Sequence, residues 1–279
     1  MKRDYRKKFK IKAIFAQISI FMSGILFDEL IFGPVHSRRL GISLGINLLP
    51  TTNKFCNFNC IYCECGWTNN KATKQVLPKR TDFKRLISEK LQVLQHTPNE
   101  PDAITFAGNG EPTTHPEFAG IIDDTLEARD LYAPKAAVTV LSNASMLHKK
   151  KVRDALVKVD KNIQKLDAGT EIMFQRINQP LGNLTLEKIV ENLLLIKVNL
   201  TIQTLFLRGE NDGHSIDNTA PEEISAWLKL INKIRPAEVM LYSIERETPA
   251  AGVEKVARKE LELIARQVQA LGVKAVVFD

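Results

Sequence analysis

The chain of 279 residues predicts an α/β protein built as a partial (βα)6 barrel of the TIM-like kind, followed by a C-terminal helix and strand. Three observations carry that expectation. From about residue 40, short runs rich in β-branched and apolar residues alternate with segments of helical periodicity, the pattern of parallel βα units. Six such units are present, too few to close an eight-stranded barrel. No internal repeat or low-complexity linker marks a second domain, and a chain of this length can bury one large core.

The first strand is expected over 41–49, the second over 103–107 and the third over 137–141; the fourth, fifth and sixth follow over 162–167, 200–207 and 239–244. Between them, Phe83, Leu86, Ile87 and Leu91 recur at helical spacing, as do Phe118, Ile121, Ile122 and Leu126. Leu186, Ile189, Val190, Leu193 and Leu194 repeat that spacing after Thr185, a good N-cap. Ile224, Trp227, Leu228 and Ile231 do so after Pro221, which suits a first helical turn. A last helix over 253–271 ends at Gly272, before a strand over 273–278. These apolar stripes are read as core. In an open or partial barrel, ligands gather at the carboxyl ends of the strands, so loops after strands are where chemistry is sought.

The net charge of +7 is misleading, because seven of the basic residues lie in positions 1–12 against Asp4 alone. That tail carries +6 and the rest of the chain +1, so the body offers no strong electrostatic case for a nucleic-acid footprint. Residues 1–21 are set apart as a basic and apolar extension, with Met22 as the expected working start and 22–279 as the domain proper. An amphipathic anchor and a signal peptide are the competing readings of that extension; its apolar run, 13–22, is too short to span a bilayer. All four cysteines fall between 56 and 65, which argues against a disulfide framework and for a reducing cytoplasm. The five histidines lie singly, with no spacing that would make a metal pair.

Cys56, Cys60 and Cys63 follow the first strand in the run Cys56-Asn57-Phe58-Asn59-Cys60-Ile61-Tyr62-Cys63. Three thiolates so spaced can hold three irons of a cubane cluster and leave the fourth iron open. A structural zinc site using Cys65 as the fourth ligand is the alternative, although zinc usually takes two cysteine pairs separated by a longer loop. Cys65 is otherwise a bystander thiol. Gly108-Asn109-Gly110-Glu111-Pro112 follows the second strand, where glycines let backbone approach a ligand and a carboxylate can accept from an ammonium group. By itself such a run is also an ordinary strand-ending turn.

The Cys-x3-Cys-x-aromatic-Cys run resembles the cluster motif of the radical S-adenosylmethionine superfamily. The resemblance implies a 4Fe-4S cluster on Cys56, Cys60 and Cys63, with S-adenosylmethionine chelating the open iron and Tyr62 near its adenine. Gly108, Asn109, Gly110 and Glu111 are similar to the superfamily's Gly-Gly-Glu motif for the methionine amino group, with Asn109 in place of the second glycine. Ser142, Asn143 and Asp167, at strand ends, become candidates for the ribose and carboxylate; each also suits a cap or turn. Residues 32–41, ending Ser37-Arg38-Arg39-Leu40-Gly41, resemble the signature of a branch of iron-sulfur oxidoreductases. That branch is related to wyosine-forming enzymes of transfer RNA and to nitrogenase-cofactor radical enzymes. The similarity covers about 30–250. Arg38 and Arg39 either grip an anionic substrate or brace the start of the first strand. Arg208, Tyr242 and Arg246 are further candidates to face the substrate.

The resemblance implies reductive cleavage of S-adenosylmethionine to a 5′-deoxyadenosyl radical that takes hydrogen from a substrate. It also implies an external electron donor such as flavodoxin or ferredoxin. With every cysteine in one loop, no auxiliary cluster is expected. The competing reading is a non-catalytic zinc or iron-sulfur module that recognises a partner.

Overall fold

The computed structural model describes residues 24–68, 76–196 and 198–278; the extension expected over 1–21 lies outside the described residues. Strands β1 (Ile31–Ser37) and β2 (Gly41–Ile46) form an antiparallel hairpin. Helix α1 (Arg80–Leu94), β3 (Ala103–Phe106), α2 (Phe118–Tyr132), β4 (Ala137–Ser142), α3 (Lys150–Leu156) and β5 (Lys161–Lys165) follow. Next come α4 (Glu171–Asn178), α5 (Leu186–Leu194), β6 (Leu200–Asn211), β7 (His214–Asp217), α6 (Pro221–Ile234) and β8 (Glu238–Ser243). The chain ends with β9 (Val253–Lys255), α7 (Arg258–Ala270) and β10 (Lys274–Val277). Strand order is β1-β2-β3-β4-β5-β6-β8-β10, and every neighbour from β2 onward is parallel. The sheet stays open, as a partial barrel requires.

The strand over 31–37 is not among those the sequence predicts, and it contains Pro34. An edge position tolerates that proline, which has no N–H to give a ladder, and the register shifts between Phe32 and Val35. The first parallel strand is shorter than expected, ending at Ile46, because Asn47 turns its side chain back on Leu49 and Asn109. Strand β6 runs to Asn211 rather than 207, and its extra length pairs with β7 and β9. Residues 253–255 accordingly leave the last helix and join that small sheet.

Helices cover the outer face of the sheet with the stripes that the sequence shows. Phe83 on α1, Phe106 on β3 and Phe118 on α2 meet at ring separations of 6.4 and 6.1 Å, and Trp227 on α6 meets Phe206 edge-on at 5.4 Å. Each such side chain, fully buried, stabilises the fold by about 1.5–3 kcal/mol. Thr185 caps α5 by accepting from the Lys188 N–H, and Thr170 caps α4 by accepting from Met173.

Ion pairs tie α1 to α2, and the most buried of them centres on Asp124. Asp124 is 3% exposed and accepts from Arg80 at 2.6 and 3.0 Å, with Lys84 at 3.5 Å. Gly120 makes room for it, since a Cβ there would lie 2.3 Å from the guanidinium. Burial alone would raise the Asp124 carboxyl, but the Arg80 hydrogen bonds and charge outweigh it and hold it below its ordinary value. A carboxylate depressed in the folded state stabilises above its unfolded pKa of about 3.9, and that stabilisation fades as pH falls through the lower folded value. Arg80→Ala is therefore expected to cost about 2–3 kcal/mol at pH 7. In urea unfolding the difference from wild type should narrow below about pH 4.

Candidate functional site

The loop after β2 carries the cysteines, and two neighbouring segments hold it. On one side Phe55 donates its N–H to the Asn109 carbonyl at 2.7 Å, and its own carbonyl accepts from Glu111 at 3.2 Å. Gly110 is required here: its φ is 142°, and a Cβ would lie 1.9 Å from the Phe55 oxygen. Gly108 is bare for a similar reason, with the Asn47 side-chain oxygen 2.5 Å from where a Cβ would be. On the other side the end of α4 accepts from the loop, Asn178 from Asn59 at 3.0 Å and Ile177 from Ile61 at 3.0 Å.

Cys56, Cys60 and Cys63 line one cavity of 320 Å3 at the carboxyl ends of the parallel strands. Tyr62, Gly108, Gly110, Glu111, Ser142 and Asn143 line it too, so these expected site residues are brought together. Two are not on its wall. Asn109 is 0% exposed and spends its side chain on Phe27 (2.8 Å to both its N–H and its carbonyl) and on Pro50 at 2.9 Å. Asp167 sits behind Tyr62: one oxygen accepts from the Tyr62 hydroxyl and from Asn178 at 2.8 Å, the other from the Leu205 N–H at 3.0 Å. Both residues position the loop rather than face the space.

Glu111 faces the cavity but its carboxylate is occupied. Thr113 gives it an N–H at 3.0 Å and its hydroxyl, and the Asn143 N–H reaches it at 2.7 Å. Burial pushes its carboxyl up, and those donors pull the other way. Glu111 thus brackets the ends of β3 and β4. The Asn143 side chain bridges onward to Asn57 at 2.8 Å and approaches the Cys56 sulfur at 3.7 Å.

Further donors reach the thiols. The Phe58 N–H lies 3.3 Å from Cys56 Sγ, and Asn178 Nδ2 lies 3.4 Å from Cys60 Sγ. Burial raises the Cys56 and Cys60 thiols, whereas Cys63 is pulled down by hydrogen bonding from Cys65, helped by the Lys54 ammonium. Cys65 Sγ points to the Gly108 carbonyl at 3.3 Å and is not on the cavity wall.

Sequence reasoning passed over three residues. Lys54 is 3% exposed and reaches the Gly66 carbonyl at 2.9 Å. Burial should lower its ammonium, yet the charges of Cys63, Cys56 and Cys60 hold it up. Among the described residues it has no carboxylate partner. Lys165 donates to the Tyr62 hydroxyl at 2.6 Å, lies 3.6 Å from Asp167 and sits 4.8 Å over the Tyr62 ring. Asn178 links Cys60 to Asp167. A lysine inside the strand expected over 162–167 was the available signal for Lys165; nothing in the sequence marks Lys54 or Asn178. Of the candidates to face the substrate, Tyr242 and Arg246 line the cavity, whereas Arg208 ion-pairs with Glu260 and is not on its wall.

Thiolates are the donors by which iron-sulfur clusters are held. Among the described residues no group of three or more His, Cys, Asp or Glu is arranged to hold a single metal ion, while three thiols converge on one space. The same residues include no helix long and apolar enough to cross a membrane.

Comparison with known proteins places this geometry. A family model described as the Radical SAM superfamily matches residues 51–220, more than half of the chain. A Brachyspira hyodysenteriae protein named GTPase Obg is 33% identical over 236 residues, 83% of this chain but only 32% of that protein. A UPF0026 protein of Synechocystis is 32% identical over 224 residues, covering 78% of this chain and 77% of that one. Streptococcus suis SuiB bound to S-adenosylmethionine has the same fold, with a TM-score of 0.59 at 11% identity over 81% of this chain and 49% of SuiB. The chain thus spans about a third of the first of these relatives and half of SuiB. With a three-cysteine loop at the mouth of an open parallel barrel and a family match that covers that loop and the strands from β3 to β7, the chain belongs to the radical SAM superfamily, enzymes that work with a 4Fe-4S cluster and S-adenosylmethionine.

Proposed function

We propose that residues 22–279 form one radical SAM domain in which Cys56, Cys60 and Cys63 ligate three irons of the cluster. The buried ammonium of Lys54 carries this reading. A buried ammonium is costly without a counter-charge, and the groups within its reach are the three cysteines, which turn anionic when they lose their protons as ligands, so Lys54 suits a thiolate-held occupant. Asn143, Asn178 and the Phe58 N–H supply hydrogen bonds to the sulfurs, a means of tuning a cluster's potential. Gly108 and Gly110 let backbone approach the methionine end of S-adenosylmethionine, and Glu111 fixes that loop. Ser142 and Asn143 face the same ligand, and Tyr62, held by Lys165 and Asp167, forms the wall beside it. When bound, cluster and S-adenosylmethionine together supply a 5′-deoxyadenosyl radical that takes hydrogen from the substrate. The protein orients the reactants and keeps water out. An electron donor such as flavodoxin or ferredoxin and a reducing cytoplasm complete the proposal.

Anaerobic reconstitution tests it. About four irons per chain, an iron-sulfur chromophore and reductive formation of 5′-deoxyadenosine are expected. A colourless protein holding one zinc would instead establish the binding-module reading. Lys54→Met should lower the reduction potential of the cluster, read by spectroelectrochemistry, because removing a nearby positive charge disfavours the extra electron. An unchanged potential would remove Lys54 from the argument.

A further inference from the structure

Arg39 is the cavity's unclaimed cation. The turn between β1 and β2, at one edge of the sheet, brings it against β6 and β8, near the other edge. There its Nη1 donates to Gln203 Oε1 at 3.2 Å and its guanidinium carbon lies 4.7 Å over the Tyr242 ring. The other cations on the wall are accounted for. Arg38 pairs with Glu245 at 3.5 Å, Arg246 with Glu64 at 2.5 Å, Lys165 with Asp167, and Lys54 faces the thiols. Each carboxylate on the wall is taken as well: Glu245 also meets Lys255, and Glu111 is saturated by Thr113 and Asn143. Among the described residues no carboxylate lies within ion-pair distance of Arg39.

The geometry leaves the guanidinium ready for a ligand. An arginine has five N–H donors in a rigid fork, and one is used here, on a neutral amide. The guanidinium lies over the Tyr242 ring and leaves donors for a bidentate acceptor. Gln203 pairs across the strands with Lys165 and both line the cavity, so a second cation adjoins the site. A half-buried arginine with no counter-ion among the described residues gains from a bound group that supplies the charge.

We propose that the substrate carries an anionic group, a carboxylate or phosphate, bound by Arg39 against Tyr242 and Gln203 in the cavity that also holds the three thiols. This rests on the reading of that cavity as the radical site. The alternative is that Arg39 only bridges the open seam of the barrel.

The test uses the cluster-loaded protein saturated with S-adenosylmethionine, titrated anaerobically with inorganic phosphate and, separately, with succinate. Iron content is measured first on the same wild-type preparation, so a failure of cluster binding is scored before any anion is added, and the titration is run in either case. Saturable binding of one equivalent of one probe is expected, and which probe binds tells phosphate from carboxylate. Arg39→Gln should weaken it at least tenfold, and Arg39→Lys should weaken it less, since the charge stays but the fork is lost. Arg85→Gln, on the exposed face of α1, should change nothing. Gln203→Leu serves as a second variant and should weaken binding through loss of the guanidinium's orientation. The proposal is overturned if wild type binds neither probe, if Arg39→Gln and Gln203→Leu bind as tightly as wild type, or if Arg39→Gln loses S-adenosylmethionine instead of the anion.

Discussion

Replacing any one of Cys56, Cys60 and Cys63 by alanine is expected to abolish the iron-sulfur chromophore and all reductive formation of 5′-deoxyadenosine, whereas Cys65→Ala should retain both. The contrast comes from placement. The first three thiols line one cavity, whereas Cys65 is not on its wall and spends its Sγ on the Gly108 carbonyl. A cubane held by three protein ligands has no spare ligand to lose, so the expected effect is loss of the site rather than a graded decline. Iron analysis and the ultraviolet-visible spectrum after anaerobic reconstitution read the outcome directly. A Cys65→Ala protein without iron would show that the fourth thiol is a ligand and would reopen the zinc alternative.

Asp167→Ala should destabilise the fold by about 3 kcal/mol, because it leaves the Lys165 ammonium, 17% exposed, without its counter-ion. Burial alone would lower the Lys165 ammonium, and the charge of Asp167 leads the groups that hold it up instead. The same substitution strips partners from the Tyr62 hydroxyl, the Asn178 amide and the Leu205 N–H. Since Asn178 also donates to Cys60, the loss should spread into the cysteine loop and slow cluster incorporation. Asp167→Asn keeps the shape and two acceptor sites, so its cost should be smaller. Denaturant unfolding of both variants checks the order. Equal stability of Asp167→Ala and wild type would show that this network does not hold the barrel mouth.

The candidate site was legible in part. Cys56, Cys60 and Cys63 stand out because their spacing on one loop has few other uses, and Gly108 and Gly110 because glycine next to a strand end signals close backbone approach. In the structure the close approach is to the chain's own Asn47 and Phe55, with which a Cβ at either glycine would collide. Asn109 and Asp167 look the same in sequence as Ser142 and Asn143, all polar residues after strands. The difference is which way each side chain turns, and that is set by partners far away in the chain: Phe27 for Asn109, Tyr62 and Leu205 for Asp167.

The sequence by itself determined the alternation of strands and helices, the apolar stripes that pack them and the loop that carries the thiols. These are local patterns, with periods of two or 3.6 residues and fixed short spacings. Only the tertiary structure decided the β1–β2 hairpin, the course of β6 through β7 and β9, the burial of Lys54 and the pairing of Lys165 with Asp167. It also set Arg39 across the open seam against Gln203 and Tyr242, more than 160 positions away. Such contacts join residues that no local pattern links, and a buried charge reads in sequence like an exposed one. Its meaning comes from the groups that the closing sheet brings around it.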